Sequence, residues 1–170
     1  MALEETFGKA LCLYRITNPQ KETAVPNRAV IKLIQNRDFL TATPEKSVRA
    51  VAHHMKRYNT SAVLIVDAED GTLQGICTER DLNFKVLAEG LDANITPVSE
   101  VMTKNPMAVG PEKLFGHVLH LMHEGGYRHM PVVDPIGRPI GIVSSRDALG
   151  LEVLHFRNEL VLREYLTEIL

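Results

Sequence analysis

Two short segments carry residue types that can hold a sugar or a phosphate. They are Gly75-Ile76-Cys77-Thr78-Glu79-Arg80-Asp81 and Gly141-Ile142-Val143-Ser144-Ser145-Arg146-Asp147. In each, a hydroxyl (Thr78 or Ser144) stands three residues before a carboxylate (Asp81 or Asp147), and an arginine (Arg80 or Arg146) lies between. A carboxylate has only acceptors, so it can take both hydrogens of a vicinal diol such as the 2′- and 3′-hydroxyls of ribose. Dinucleotide folds use an acidic residue in this way. The hydroxyl can bond a sugar or phosphate oxygen, and the guanidinium supplies a cation for phosphate. Each segment reads as a strand running into a helix, where free N–H groups and the positive helix end face outward. The same spacing also suits plain helix capping, which a single such segment more often means. A doubled segment with a doubled arginine weighs toward a ligand.

The doubling extends well beyond these segments. Pro44-Glu45-Lys46 recurs as Pro111-Glu112-Lys113, 67 residues on. At that offset Val51 meets Val118, His53 meets His120 and Met55 meets Met122. One loop residue is then lost, after which Gly75-Ile76 meets Gly141-Ile142 and Arg80-Asp81 meets Arg146-Asp147. The chain contains an internal duplication.

Each copy needs the same elements to position its segment. Apolar residues at Val48, Val51, Ala52 and Met55, and at Phe115, Val118, Leu119 and Met122, give two amphipathic helices beginning shortly after a proline. A β-branched run follows (62–66 or 130–133), then a glycine-containing turn, then a second short strand (73–77 or 139–143). Strand, turn, strand at this spacing is a hairpin. A second helix begins near Asp81 or Asp147. A unit of about 50 residues is too small to bury its own faces, so the two should pack into one globule. The expected fold class is α/β (α+β), with two pseudo-symmetric repeats, each helix–strand–strand–helix. The expected division is an N-terminal extension (1–35), a first repeat (36–87), a linker (88–102), a second repeat (103–150) and a C-terminal helix (151–170). Residues 3–13 read as a further helix and 18–27 as a loop. The helix pattern from 149 to 170 carries more apolar surface than one face needs. It serves either a dimer contact or packing on its own globule, with equal weight.

Composition narrows the function. The 170 residues carry a net charge of −2, 5% are aromatic and none is Trp, so neither a positive field nor base-stacking residues favour nucleic acid. Cys12 and Cys77 make neither a disulfide framework nor a thiolate zinc site and read as core thiols in a reducing compartment. The longest aliphatic stretch, 62–66, falls far short of the ~20 residues of a membrane span. The start, Met1-Ala2-Leu3-Glu4-Glu5, is acidic where a signal peptide is basic, so a soluble cytoplasmic protein is expected. His117, His120 and His123 spread over about 120° of a helix surface, so no metal site is expected there. Nucleophile elbow, P-loop, metalloprotease motif and Gly-rich dinucleotide loop are all absent from the sequence, and no enzyme is expected.

Taken in order, these motifs resemble a tandem of CBS domains (the cystathionine-β-synthase type repeat), often called a Bateman module. The resemblance rests on Thr41-Ala42-Thr43-Pro44, on His129-Met130-Pro131-Val132-Val133-Asp134, on the two Gly-Ile…Arg-Asp segments, and on Val101-Met102-Thr103-Lys104-Asn105-Pro106 leading into the second copy. It covers about residues 32–150. It implies a compact module with two clefts between the repeats, many relatives binding adenosine compounds: AMP, ADP, ATP, NAD or S-adenosylmethionine. It further implies that one repeat's aspartate holds the ribose while the other repeat's first strand flanks the adenine. Carried over, Asp147 and Ser144 would work with Thr60, Ser61 and Ala62, and Asp81 and Thr78 with Tyr127, Arg128 and His129. Arg128 and His129 sit where relatives place phosphate-binding cations, and lead-in residues near Asn36-Arg37 and Met102-Thr103 also contribute. Ser61-Ala62 stands opposite Arg128-His129, and Leu64 opposite Pro131, so the clefts are expected to be unequal, with one phosphate-bearing geometry favoured. The implied function is a non-catalytic nucleotide sensor, forming a homodimer and signalling to a separate effector protein. The alternative is an interaction module with vestigial clefts that works through its C-terminal helix.

Overall fold

The computed structural model describes residues 28–148. The expected helices at 3–13 and 149–170 and the loop at 18–27 lie outside the described residues, as does any dimer contact made by the C-terminal helix. In chain order the elements are α1 (Ile31–Ile34), β1 (Thr41–Ala42), α2 (Val48–Tyr58), β2 (Ala62–Val66), β3 (Leu73–Thr78) and α3 (Glu79–Asp81). A π-helical segment (Leu82–Leu87) continues α3. Then come α4 (Val98–Val101), β4 (Thr103–Lys104), α5 (Phe115–Gly125), β5 (His129–Val133) and β6 (Pro139–Ser144). The chain turns helical again at 146–148. Helices and strands are mixed as expected, and each repeat contributes one amphipathic helix and one hairpin.

The local sequence accounts for these elements. Ser47 starts α2 by accepting a hydrogen bond from the Ala50 N–H, and Asn59 ends it in the left-handed conformation (φ 50°). The apolar stripe buries Val48, Val51 and Met55. Its counterpart α5 buries Phe115, Val118 and Met122 and stops at Gly126 (φ 67°). The hairpins β2–β3 and β5–β6 are antiparallel, with a register shift near the same place in each. β1 lies parallel to β2, and a parallel bridge from Val109 to Val132 repeats that pairing in the second copy. The helix expected from Asp81 starts slightly earlier, at Glu79, and winds wider after one turn, with the Ala88 N–H reaching back to the Asn83 carbonyl.

The lead-in segments are exchanged between the repeats. Val30, Leu33 and Ile34 lie in one core with Phe115, Val118, Met122 and Met130 of the second copy. Val98, Val101 and Met102 lie in the other core with Val48, Val51, Val63 and Cys77 of the first. Matching backbone bonds fix the exchange: Val30 N–H donates to the Lys113 carbonyl and Val98 N–H to that of Lys46, both at 2.8 Å. Thus 28–34, set apart in sequence as part of an extension, forms the counterpart of 96–102. Two equivalent glycines permit the close approach. A Cβ on Gly75 would lie 2.4 Å from Met102 Sδ, and one on Gly141 would lie 2.6 Å from Ile34 Cδ1.

A third cluster joins the copies: Ala62, Leu64 and Ile76 of the first pack with Ile142 of the second. Across the turns, the Leu73 N–H donates to the Gly137 carbonyl (2.9 Å), and Arg138 Nε donates to the Asp70 carbonyl (2.6 Å). The two repeats make one module.

Candidate functional site: two clefts between the repeats

The first cleft has a volume of about 380 Å³ and the second, more open, about 760 Å³. Thr78, Arg80 and Asp81 reach the first from one repeat, and Tyr127, Arg128 and His129 from the other. Ser144 and Asp147 reach the second from one repeat, and Thr60, Ser61 and Ala62 from the other. Arg146 lines both, as do Ser61, His129 and Ser144. These residues border the clefts from both repeats; of the lead-in residues, Arg37 and Thr103 line a cleft, whereas Asn36 and Met102 line neither.

Sheet and helix geometry explain the convergence. Antiparallel pairing puts Ala62 opposite Thr78 and His129 opposite Ser144. The start of each first strand and the end of each second strand thus share one sheet end, where the following helix begins. The Ser61 hydroxyl then lies 3.0 Å from His129 Nε2, so a hydrogen bond crosses between repeats on the wall shared by both clefts.

Both aspartates reach back to the residue that ends the preceding strand. Asp81 Oδ2 accepts from the Thr78 N–H (2.9 Å) and hydroxyl (2.6 Å), while the Asp81 N–H donates back to Thr78 Oγ1 (3.4 Å). This is a closed capping box. Asp81 Oδ1 takes the Lys85 ammonium at 2.7 Å, and the same ammonium donates to the Val101 carbonyl at 2.8 Å. Asp147 Oδ2 accepts from the Ser144 N–H (2.7 Å), and its Oδ1 pairs with Arg37. The Ser144 hydroxyl accepts from the Arg146 N–H at 3.0 Å. Capping and ligand binding do not exclude each other here. The cap fixes the carboxylate at the cleft edge, and a carboxylate accepts about four hydrogen bonds in all.

The electrostatics differ between the clefts. Arg80, Arg128 and Arg146 line the first; the Arg80 guanidinium carbon sits 5.3 Å from the Phe84 ring centroid. The first also holds the carboxylates Glu79 and Asp81, and the second is lined by Asp38, Glu79 and Asp147 beside Arg37, Lys56 and Arg146, so the first keeps a modest excess of cations. His129 is held below the ordinary imidazole pKa, first by burial and then by the charges of Arg128 and Arg146, with Glu79 and Asp147 opposing. Cys77 is fully buried, and burial, aided by the charge of Asp81, pushes its thiol up to about 12, so it is an inert core residue.

Sequence reading missed one wall of the first cleft, formed by Ile76, Asn105, Pro106 and Met107. The Tyr127 hydroxyl donates to Met107 Sδ at 3.1 Å, closing that wall. A usable signal was present: comparing the lead-ins at an offset of 68 pairs Asn105 with Arg37, each just past its lead-in helix. Among the described residues, no cluster of three or more His, Cys, Asp or Glu side chains is placed to hold a metal ion. His117, His120 and His123 are exposed on α5, with His120 Nε2 3.3 Å from Glu124 Oε1. No helix among the described residues is long and apolar enough to cross a membrane.

Comparison with known proteins agrees with this architecture. The CBS domain family model matches residues 31–87 and 98–153. An uncharacterised protein of Methanopyrus kandleri is 31% identical over 119 residues, which are 70% of this chain and 60% of that protein. The CBS domain-containing protein CBSCBSPB1 of Arabidopsis thaliana is 32% identical over 129 residues, 76% of this chain and 22% of that one. The match thus spans less than two thirds of either relative. The CBS domain pair of the protein MJ0100, solved in complex with 5′-methylthioadenosine and S-adenosyl-L-methionine, superposes with a TM-score of 0.65 at 31% identity. That match covers 73% of this chain and 94% of that one.

Proposed function

The chain belongs to the CBS-domain family, and from that premise we propose that it is a non-catalytic regulatory module that binds adenosine-containing nucleotides between its repeats. The observation that carries this reading is the meeting, at each cleft, of a capped aspartate from one repeat with the first-strand residues of the other. The complex of the MJ0100 domain pair with two adenosine compounds supports it. In this reading Asp81 and Asp147 accept the ribose hydroxyls, Tyr127 and Met107 flank the base in the first cleft, and Arg80 and Arg128 face the phosphates. AMP, ADP and ATP suit the arginine-lined first cleft best, and NAD and S-adenosylmethionine remain in the class. A ligand touching both repeats binds one arrangement of them better than another, which is how it signals. The output passes through a homodimer and a separate effector protein.

The test is a thermal-shift series with AMP, ADP, ATP, NAD and S-adenosylmethionine, on the native chain and on an Asp81→Ala/Asp147→Ala variant. A ligand at 100 times its dissociation constant adds about 2.7 kcal/mol, or several degrees. The native chain should shift with at least one ligand and the variant with none. A native chain indifferent to all five would leave the two aspartates as helix caps and turn the reading to an interaction module.

A further inference from the structure

Asp147 and Arg37 are 110 residues apart in sequence yet form an ion pair, Arg37 Nη1 to Asp147 Oδ1, at 2.5 Å. The exchange of lead-ins makes this contact. Leu33 and Ile34 anchor α1 in the core of the second repeat, and the Arg37 N–H donates to the Ile34 carbonyl at 3.0 Å. Asn36, at φ 63°, turns the chain between them. The backbone of Arg37 is thereby fixed beside the second cleft, while its side chain is 53% exposed and free to leave. The Asp147 carboxylate is only 14% exposed, and its Oδ2 is committed to the Ser144 N–H. Oδ1, which takes no bond from its own strand or helix, is paired with Arg37.

We propose that Arg37 is a latch on the second cleft: its guanidinium occupies the exposed side of the Asp147 carboxylate oxygen that a sugar diol would use, so that a ligand binds there in competition with it. The proposal rests on the nucleotide-binding reading of the clefts. In the first cleft the cation comes from elsewhere: the equivalent lead-in position is Asn105, which is uncharged, and Asp81 Oδ1 is held by Lys85, four residues along in the following helix. A ligand in the second cleft therefore works against a residue of the first repeat's lead-in, and its binding is reported to that segment. Filling the first cleft carries no such link to 28–37.

The probe is adenosine, which is uncharged and carries the diol but no phosphate. Its affinity is measured by titration calorimetry on an Asp81→Asn chain, which removes the first cleft's carboxylate, with and without Arg37→Gln. Melting temperatures check that each variant is folded. Loss of an exposed ion pair of ordinary strength should tighten adenosine binding about two- to fivefold. Raising the salt concentration should tighten binding to the chain that keeps Arg37 and leave the Arg37→Gln chain unchanged, because salt screens the latch and not the neutral ligand. Equal or weaker affinity without Arg37 overturns the latch. So does adenosine binding to the native chain that vanishes in the Asp81→Asn chain, an outcome that leaves the nucleotide reading standing. No adenosine binding by the native chain, with no response to the five ligands above, removes both.

Discussion

His129 stands where the two clefts meet, hydrogen-bonded to Ser61 of the other repeat. Burial and the neighbouring Arg128 and Arg146 hold its pKa below the ordinary 6.5. A histidine with a lowered folded pKa binds fewer protons folded than unfolded once the pH nears 6.5. Stability therefore falls as pH drops through 6.5, and the loss is complete below the lowered folded value. The urea midpoint of the native chain should decline on going from pH 8 to pH 5, and His129→Gln should flatten that decline. An unchanged slope would mean that the imidazole is not held neutral by its site. Thr78, Asp81, Ser144 and Asp147 were legible in the sequence because their types recur at matched positions in two copies, whereas His129 has Ala62 as its counterpart and stood out only through the family resemblance. The Arg37–Asp147 pair was not legible as a contact. Nothing in the spacing of Arg37 says which repeat its segment packs on, and the ion pair exists only because the lead-ins cross over.

The strands and long helices follow from short-range pattern, whereas the lead-in helices do not. The stripe of α2 or α5 spans three turns and sets a clear period, and glycine turns bound each hairpin. α1 and α4 have four residues each, too few to show a period, and apolar spacing in any case names a buried face without naming its partner. Their docking is written instead in Gly75 and Gly141, which leave room for Met102 and Ile34. The two glycines should differ in their tolerance of alanine. A Cβ on Gly141 would meet Ile34 Cδ1 at 2.6 Å and its Cβ at 2.8 Å, and a β-branched side chain has little freedom to turn away. A Cβ on Gly75 would meet the flexible end of Met102, which can swing aside, leaving the Thr103 carbonyl at 3.1 Å. Gly141→Ala should cost about 1–3 kcal/mol in urea unfolding, the usual range for overpacking, and Gly75→Ala less. The reverse order would mean that Ile34 is not seated against the hairpin as described.

At the scale of the whole molecule, the exchange makes each repeat incomplete without the other's chain. The first core takes Val98, Val101 and Met102 from beyond residue 90, and the second takes Val30, Leu33 and Ile34 from before it. Burying a side chain of this size stabilises by roughly 1.5–3 kcal/mol, so three of them rival the whole margin of about 5–15 kcal/mol by which a domain is stable. Glu89 and Gly90 lie between the repeats, both exposed, and Gly90 has open space around it at φ 68°. A chain divided there gives two fragments, 1–89 and 90–170, each holding one repeat and the other's lead-in. Neither fragment should melt cooperatively alone, since each lacks part of its core and exposes the lead-in meant for its partner. Mixed, they should recover helical signal and a single cooperative transition, and elute together at the mass of the intact chain or a multiple of it. Fragments that melt independently, with no gain on mixing, would show that the lead-ins are dispensable to the cores. They would also remove the mechanical basis for a signal, because a cleft between two self-sufficient halves could fill without either half feeling the other.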